Sequence, residues 1–430
     1  MKKITLTKFT RRLLRVFGIL FVIWLSWSIY YYSTFTKFPT RPFPITEEVS
    51  NPEYSRSIQE AQKYLPGISK RLNVPSFSIA IGHNGKLIWS VAEGFANVER
   101  LVAATPSTQY RIGSTSKAIT ATGIARRIDK GGLTLDTVIG DTIKNWTRKE
   151  WDFTLRQLLS HTAGVGNYED FGLASGRYTL CNCNQFYSAS EGLKVFDRYP
   201  LIYKPGSNFA YSTFDINLSS VVLEQAANQP FLDYMQANVF NTLNMQSTYG
   251  DHARPKTKNF ATFYQTQDGC YREYRTMGIK HDVNLSYKWA GGGFISTPSD
   301  LVRMGNAWLA DSTFLSIETK KEFWTPVKLS NGKVNEQEYA LGWRSWLQYE
   351  NESLLDGKST WMVHHGGVSK GSMNFLVLFP EYGLVVNASI NARTEHFGDF
   401  AKEVRNIANF FLNTLPKQNS ELFQTIKEAP

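Results

Sequence analysis

From Val16 to Thr36 the chain runs for 21 residues without a charge, VFGILFVIWLSWSIYYYSTFT. At about 1.5 Å of rise per residue, a helix of this length reaches about 30 Å, the thickness of a bilayer's hydrocarbon layer. Six basic residues precede the run (Lys2, Lys3, Lys8, Arg11, Arg12, Arg15) and two follow it (Lys37, Arg41), with no acid before Glu47. Because positive flanks stay cytoplasmic, the N-terminus is expected inside and everything after Lys37 outside. Trp24, Trp27 and Tyr30 to Tyr32 gather towards the far end, where amphipathic rings favour the interface. Residues 1–15 therefore read as a cytoplasmic basic segment and 16–36 as a single-pass, uncleaved anchor in an inner (cytoplasmic) membrane, with a periplasmic or extracellular body. A secretory signal has a shorter apolar region and a small-residue cleavage site, for which Ser26-Trp27-Ser28 is a poor match. A mitochondrial targeting segment shares the basic, acid-poor composition and is the remaining alternative.

The position of these charges changes what the composition means. The whole chain carries a formal +10, but residues 1–46 hold +8 of it, and the rest has 39 basic and 37 acidic groups. A near-neutral body without basic runs excludes a nucleic-acid partner. With 430 residues and 42% apolar composition, one large or two ordinary domains with a sizeable core are expected. Cys181 and Cys183 are too close to pair easily, so one of them bridging to Cys270 is the most that the three cysteines offer. They form neither a zinc pattern nor a redox motif.

After the anchor, residues 37–50 hold three prolines within six residues and read as an extended linker. Apolar spacing over 55–72 predicts a helix, and SFSIAIGHNGKLIWSVAEG predicts a hairpin about Asn84-Gly85, the pair favoured by type I′ turns. A helix is expected from Ser114 to about Lys130, ending at Gly131-Gly132. Residues 150–310 read as mostly helical with long loops, TWMVHHGGVSKGSMNFLVLFPEYGLVVNASIN as three strands, and 396–414 as helix. The sum is an α+β body over 51–415, a central antiparallel sheet flanked by helices with a mostly helical subdomain inserted at about 150–310, followed by a tail at 416–430.

Chemistry is suggested first by RIGSTSKAITATGIA. Residues three apart share a helix face, so Ser114 and Lys117 stand one turn apart and the amine can take the serine's proton. A serine at a helix start also meets free backbone N–H groups where an oxyanion forms. The pattern alone is weak, because Ser330 and Lys333 repeat it in an Asn-Gly turn. Gly367-Val368-Ser369-Lys370-Gly371 matches the nucleophile elbow of α/β-hydrolases, but that motif needs a strand before and a helix after, and here a strand follows.

Taken together, RIGSTSKAITATGIA, QLLSHTAGV, YKPGSNFAYST, AGGGFISTPSDLVRM and HHGGVSKG resemble the serine β-lactamase and penicillin-binding protein family over nearly all of residues 55–410. The likeness is greatest to the class C-like branch of esterases, D-aminopeptidases, D-alanyl-D-alanine carboxypeptidases and LACTB-type proteins. The resemblance implies a β-lactamase/transpeptidase-like fold and an acyl-enzyme on Ser114, with Lys117 and Tyr211 moving the proton and either serving as base. It implies that the phenol of Tyr211 is made more acidic by neighbouring cations. It also implies an oxyanion hole from the N–H groups of Ser114 and Val368, a substrate-binding strand at His365 and Gly367, and Thr213 where relatives have asparagine. No metal or organic cofactor is implied.

Two departures tilt the expectation. Thr213 lacks the amide that contacts a substrate's amide group, and His365 replaces a lysine with a group mostly neutral at pH 7. Both favour ester-like or specialised peptide substrates over β-lactams. His161 reads as a loop-holding residue, His364 and His365 as pointing to opposite faces, and Asp251-His252 and His281-Asp282 as surface residues. The aromatics of FAYSTF and YKWAGGGF read as core and rim packing. The expected function is a membrane-anchored serine hydrolase acting on a small-molecule or peptide ester or amide. The alternative is a non-turning-over penicillin-recognising sensor or assembly scaffold of the same fold.

Overall fold

The computed structural model describes residues 8–143, 146–171, 184–254, 256–275, 283–352 and 354–418, with 422, 424 and 426. Most of the uncharged run lies in one helix, α1 (Lys8–Ser33), which starts among the basic residues and has no buried residue. By length and composition it can cross a membrane.

The body is built on one antiparallel sheet. Its strands, in chain order, are β1 (Ile45–Ser50), β2 (Ser76–His83), β3 (Lys86–Asn97), β4 (Arg344–Tyr349), β5 (Thr360–Ser369), β6 (Ser372–Phe379) and β7 (Leu384–Ile390), and they lie side by side as β4-β5-β6-β7-β2-β3-β1. The β2–β3 hairpin turns at Asn84 and Gly85, both at positive φ (47° and 82°), as its Asn-Gly pair predicts. The three consecutive strands expected near the C-terminus are β5 to β7, each paired with the next.

Alternation along the strands gives the sheet two apolar faces. Met373, Phe375 and Val377 of β6 join the core under α2 (Ser55–Tyr64) and the C-terminal helix Phe397–Leu412. Leu376 and Leu378 join the larger core on the opposite face, with the helices Ser116–Asp129 (α3), Thr213–Ala227 (α4) and Pro298–Ala310. α4 is buried from Thr213 to Leu223, including the polar Asp215, Asn217, Ser219 and Ser220.

Three expectations change. Residues 37–50 are no free linker: Thr36–Lys37 pairs with Cys270–Glu273, and β1 pairs with β3 from Ile45 to Ser50. The threonine, valine and isoleucine after the last proline have strand propensity, and the edge of β3 offers partners. The helix expected over 55–72 stops at Tyr64, because Pro66 and a left-handed Gly67 (φ 86°) break it before Ile68–Arg71. The block 150–310 also contains short strands at Tyr249–Gly250, Tyr264–Gln267, Cys270–Glu273 and Phe294–Ser296. Cys270 carries a free thiol, and Cys181 and Cys183 lie outside the described residues.

Pairing by β1 has a measurable consequence. A body beginning at residue 51 loses this edge strand and the contact between the Trp89 indole and Glu47. It is expected to melt about 5 °C or more below a body beginning at residue 37. Equal thermal midpoints by circular dichroism would show that the segment is only a tether.

Candidate active site

Ser114 sits just before α3, in a single 3-10 turn over Gly113–Thr115 that leads into the helix at Ser116. The expected α-helix start thus moves by two residues, yet the spacing argument survives, because residues three apart also align in a 3-10 turn. Lys117 Nζ donates to Ser114 Oγ at 3.4 Å and to the Gly291 carbonyl at 2.6 Å, and lies 4.7 Å from the Tyr211 ring centre. Lys117 is fully buried. Burial, with the Arg344 charge in the same direction and Asp215 opposing, lowers its pKa from 10.5 to about 7.

Gly291 belongs to the short helix Trp289–Gly292, which is clamped from two sides. Thr120 Oγ1 donates to Ala290 O at 2.9 Å, and Gly291 N–H donates to Asn217 Oδ1 at 3.0 Å. A Cβ on Gly291 would lie 2.6 Å from Thr213 O, so Thr213 packs behind this glycine at the start of α4. Thr213, where relatives have the substrate-binding asparagine, is 6% exposed there.

Strand β5 approaches the serine turn as closely as backbones allow. A Cβ on Gly367 would lie 1.9 Å from Ile112 O, and one on Gly113 (φ 54°) would lie 2.7 Å from Val368 N. Only glycine fits at either point. The approach brings the Val368 backbone beside Ser114, while its side chain is 40% exposed at the cleft rim.

Tyr211 is half-buried beside this pair. Burial raises its pKa, against the Arg344 charge and a hydrogen bond with Ser114, so the phenol stays protonated at neutral pH. The expectation of an acidified tyrosine is therefore reversed, because desolvation outweighs the nearby cation. Behind Tyr211, the fully buried His161 lies tilted against its ring with centroids 4.5 Å apart, and its Nδ1 is 2.9 Å from Asp215 Oδ2. Ser212 N–H donates to the same Nδ1 at 3.3 Å, and burial pushes the pKa of the Asp215 carboxyl up, with the Lys117 charge opposing. His161 holds its loop, as expected, and supports the tyrosine as well.

His365 is fully buried and neutral, its pKa well below the usual value because of burial and the Arg344 charge. Its Nδ1–H donates to Gly366 O at 2.8 Å, so Nε2 accepts from Tyr339 Oη at 2.9 Å. With both ring nitrogens occupied, it fixes the wall instead of presenting a charge. Arg344 is the cation of this site, with Cζ 5.4 Å from the Tyr211 ring and 5.3 Å from that of Tyr339. The sequence offered no signal for Arg344 or Asp215: one precedes the His-Gly-Gly segment by 21 residues without a motif, and the other lies within an apolar helix.

The remaining candidates fall away from this cluster. Ser330 and Lys333 lie exposed in a surface turn, with Leu329 N–H donating to Lys333 O. Ser369 ends β5 and runs directly into β6, a strand-turn-strand context without an elbow. His364 faces away from His365 and meets Trp346 edge to face, with centroids 4.1 Å apart. Asp251 is a correction: it is buried, 3.4 Å from Arg111 Nε, where the expectation was a surface residue. Its loop folds under the neighbouring short strand because Arg111 needs a counter-charge. His281-Asp282 lie outside the described residues.

Comparison with known proteins agrees with this geometry. A family model described as Beta-lactamase matches residues 60–409. The serine beta-lactamase-like protein LACTB, mitochondrial, of Bos taurus is 28% identical over 410 residues, covering 76% of this chain and 72% of the relative. Among solved structures, EstCE1, a hydrolase with promiscuous acyltransferase activity, aligns at a TM-score of 0.66 with 20% identity, covering 84% of this chain and 100% of that one. The D-amino acid amidase from Ochrobactrum anthropi, solved with L-phenylalanine, aligns at 0.65 with 20% identity, covering 83% and 98%. These structures share the fold.

The contact between β5 and the serine turn can be tested directly. Gly367→Ala is expected to cost about 1–3 kcal/mol in urea unfolding, the usual range for overpacking, and to displace Ser114. An unchanged unfolding midpoint would show that the two backbones have room to separate.

Proposed function

This chain belongs to the beta-lactamase family of serine hydrolases, and we propose that it carries out acyl transfer through Ser114 while held at a membrane by α1. The observation that carries the proposal is the fully buried Lys117 amine, 3.4 Å from Ser114 Oγ and titrating at about 7. A neutral amine there accepts the hydroxyl proton as Oγ attacks the substrate carbonyl. The N–H groups of Ser114 and Val368 stabilise the oxyanion, worth about 3 kcal/mol for each such donor. Tyr211, kept protonated by burial, donates to the leaving group and is reprotonated from Lys117. Water then attacks the acyl carbon, its proton passes to the same pair, and Ser114 Oγ leaves with a proton.

A neutral, hydrogen-bonded His365 supports ester or unactivated amide substrates, since it offers no fixed charge to a β-lactam carboxylate. The membrane reading is supported by how α1 meets the body. Arg272 lies 3.9 Å from the Tyr31 ring centre and donates to Thr34 Oγ1 at 3.1 Å, which seats the aromatic end of the helix against the Tyr264–Glu273 hairpin. With the basic flank on the cytoplasmic side, the catalytic body faces outward.

Two outcomes are expected with a fluorophosphonate probe. Ser114→Ala abolishes labelling of the protein, and Lys117→Ala slows it by a factor of about 1,000 while the thermal midpoint stays within reach of the parent. Labelling that survives in Ser114→Ala, or that maps to Ser369, overturns the assignment.

A further inference from the structure

On the far side of β5 from Ser114 lies a cavity of about 420 Å³ that the proposed mechanism does not use. Its walls are aromatic: Trp346 and Tyr349 stack at 5.1 Å on β4, and Phe375 and Phe397 meet edge to face at 5.4 Å beneath. Two guanidinium groups, Arg344 and Arg405, also line it. An apolar cavity with two cations normally carries their counter-charges with it. Here Arg344 donates to the Gln337 side-chain oxygen, Arg405 has a buried Nε without a partner, and among the described residues no carboxylate pairs with either.

His364 sharpens the inference. It lines the same cavity, is 5% exposed, and has no hydrogen-bond partner at either ring nitrogen. The nearest acids on the adjoining helix do not answer it, because Glu403 is spent on Arg71 at 3.1 Å and Asp399 points into solvent. The His364 imidazole and the Arg405 Nε therefore lie at one small apolar space without an acceptor, and Arg344, bonded to Gln337, adds a second positive charge to its wall. A buried donor left unpaired costs about 1–3 kcal/mol, so two such groups beside a second guanidinium suit an anionic guest. The pocket shares residues with the catalytic side. Val368, whose amide flanks Ser114, forms part of its rim, and Arg344 reaches from it to Tyr211.

We propose that this cavity is a substrate-selecting subsite for a carboxylate borne on an apolar or aromatic group, with Arg344, Arg405 and His364 receiving the carboxylate. Its role in selection rests on the acyl-transfer reading of Ser114, whereas the binding itself does not.

The test uses the full chain carrying Ser114→Ala, with 4-phenylbutyrate as probe and 4-phenylbutanol as its neutral counterpart, followed by calorimetry and tryptophan fluorescence. The acid is expected to bind about tenfold more tightly than the alcohol, to quench Trp346, and to lose that advantage in Arg405→Gln. Arg405→Lys keeps a charge at the same place and is expected to retain part of it, which separates recognition from a folding defect. In the protein with Ser114 intact, the preference in kcat/KM for nitrophenyl hydrogen suberate over nitrophenyl octanoate is expected to fall about tenfold in Arg405→Gln, through KM. Equal binding of acid and alcohol, or an advantage unchanged in Arg405→Gln, overturns the subsite. Binding that depends on Arg405 in a protein that hydrolyses neither ester supports the anion pocket and overturns the acyl-transfer reading instead.

Discussion

Burial of one lysine amine organises this molecule. Lys117 has no solvent contact, and its pKa falls from 10.5 to about 7, which corresponds to roughly 5 kcal/mol against the charged form. Between those values the unfolded chain binds a proton that the fold refuses, so this residue lowers stability as pH falls from about 10.5 towards 7. The surroundings are arranged to tolerate it. Gly291 O accepts a hydrogen bond from it, Asn217 and Thr120 hold the short helix that presents that carbonyl, and Tyr211 covers the amine with its ring. α3, α4 and the Trp289–Gly292 turn thus close around a single nitrogen, and the sheet completes the enclosure where Gly367 meets the serine turn.

The two faces of β5 divide the chemistry. Towards the helical side, His365 is neutral, tied to Tyr339, and part of the wall behind Tyr211. Towards the C-terminal helix, His364 opens on an aromatic cavity with unanswered cations. Arg344 belongs to both sides, because it lines that cavity and also lies over the Tyr211 ring. Its charge acts in the same sense on Lys117, His161 and His365, favouring their neutral forms.

What the sequence disclosed depended on whether a local pattern carried the information. Asn84-Gly85 specifies its own turn, the alternation through residues 360–390 specifies strands, and Ser114 with Lys117 requires only one turn of spacing. The adjacent histidines also obeyed a local rule, since neighbouring strand residues point apart. Other features arise only from tertiary contact. The Ile45–Ser50 segment becomes a strand because the edge of β3 is open, Asp251 is buried because Arg111 is nearby, and Tyr211 stays protonated because desolvation outweighs Arg344. Arg344 and Asp215 reach the site from distant positions and leave no spacing to read. The family resemblance located the cleft, but the charge that governs it came from outside every motif.

The central claim is that a neutral Lys117 amine takes the proton of Ser114. Its most direct test is the rate of Ser114 acylation by a fluorophosphonate measured from pH 5 to pH 10. A protonated amine cannot accept the proton, so the rate should be low in acid, rise through a midpoint near 7 as Lys117 loses its charge, and level off above it. A profile without that midpoint, or one that still climbs through pH 10 as an ordinary lysine or phenol would dictate, would contradict the account.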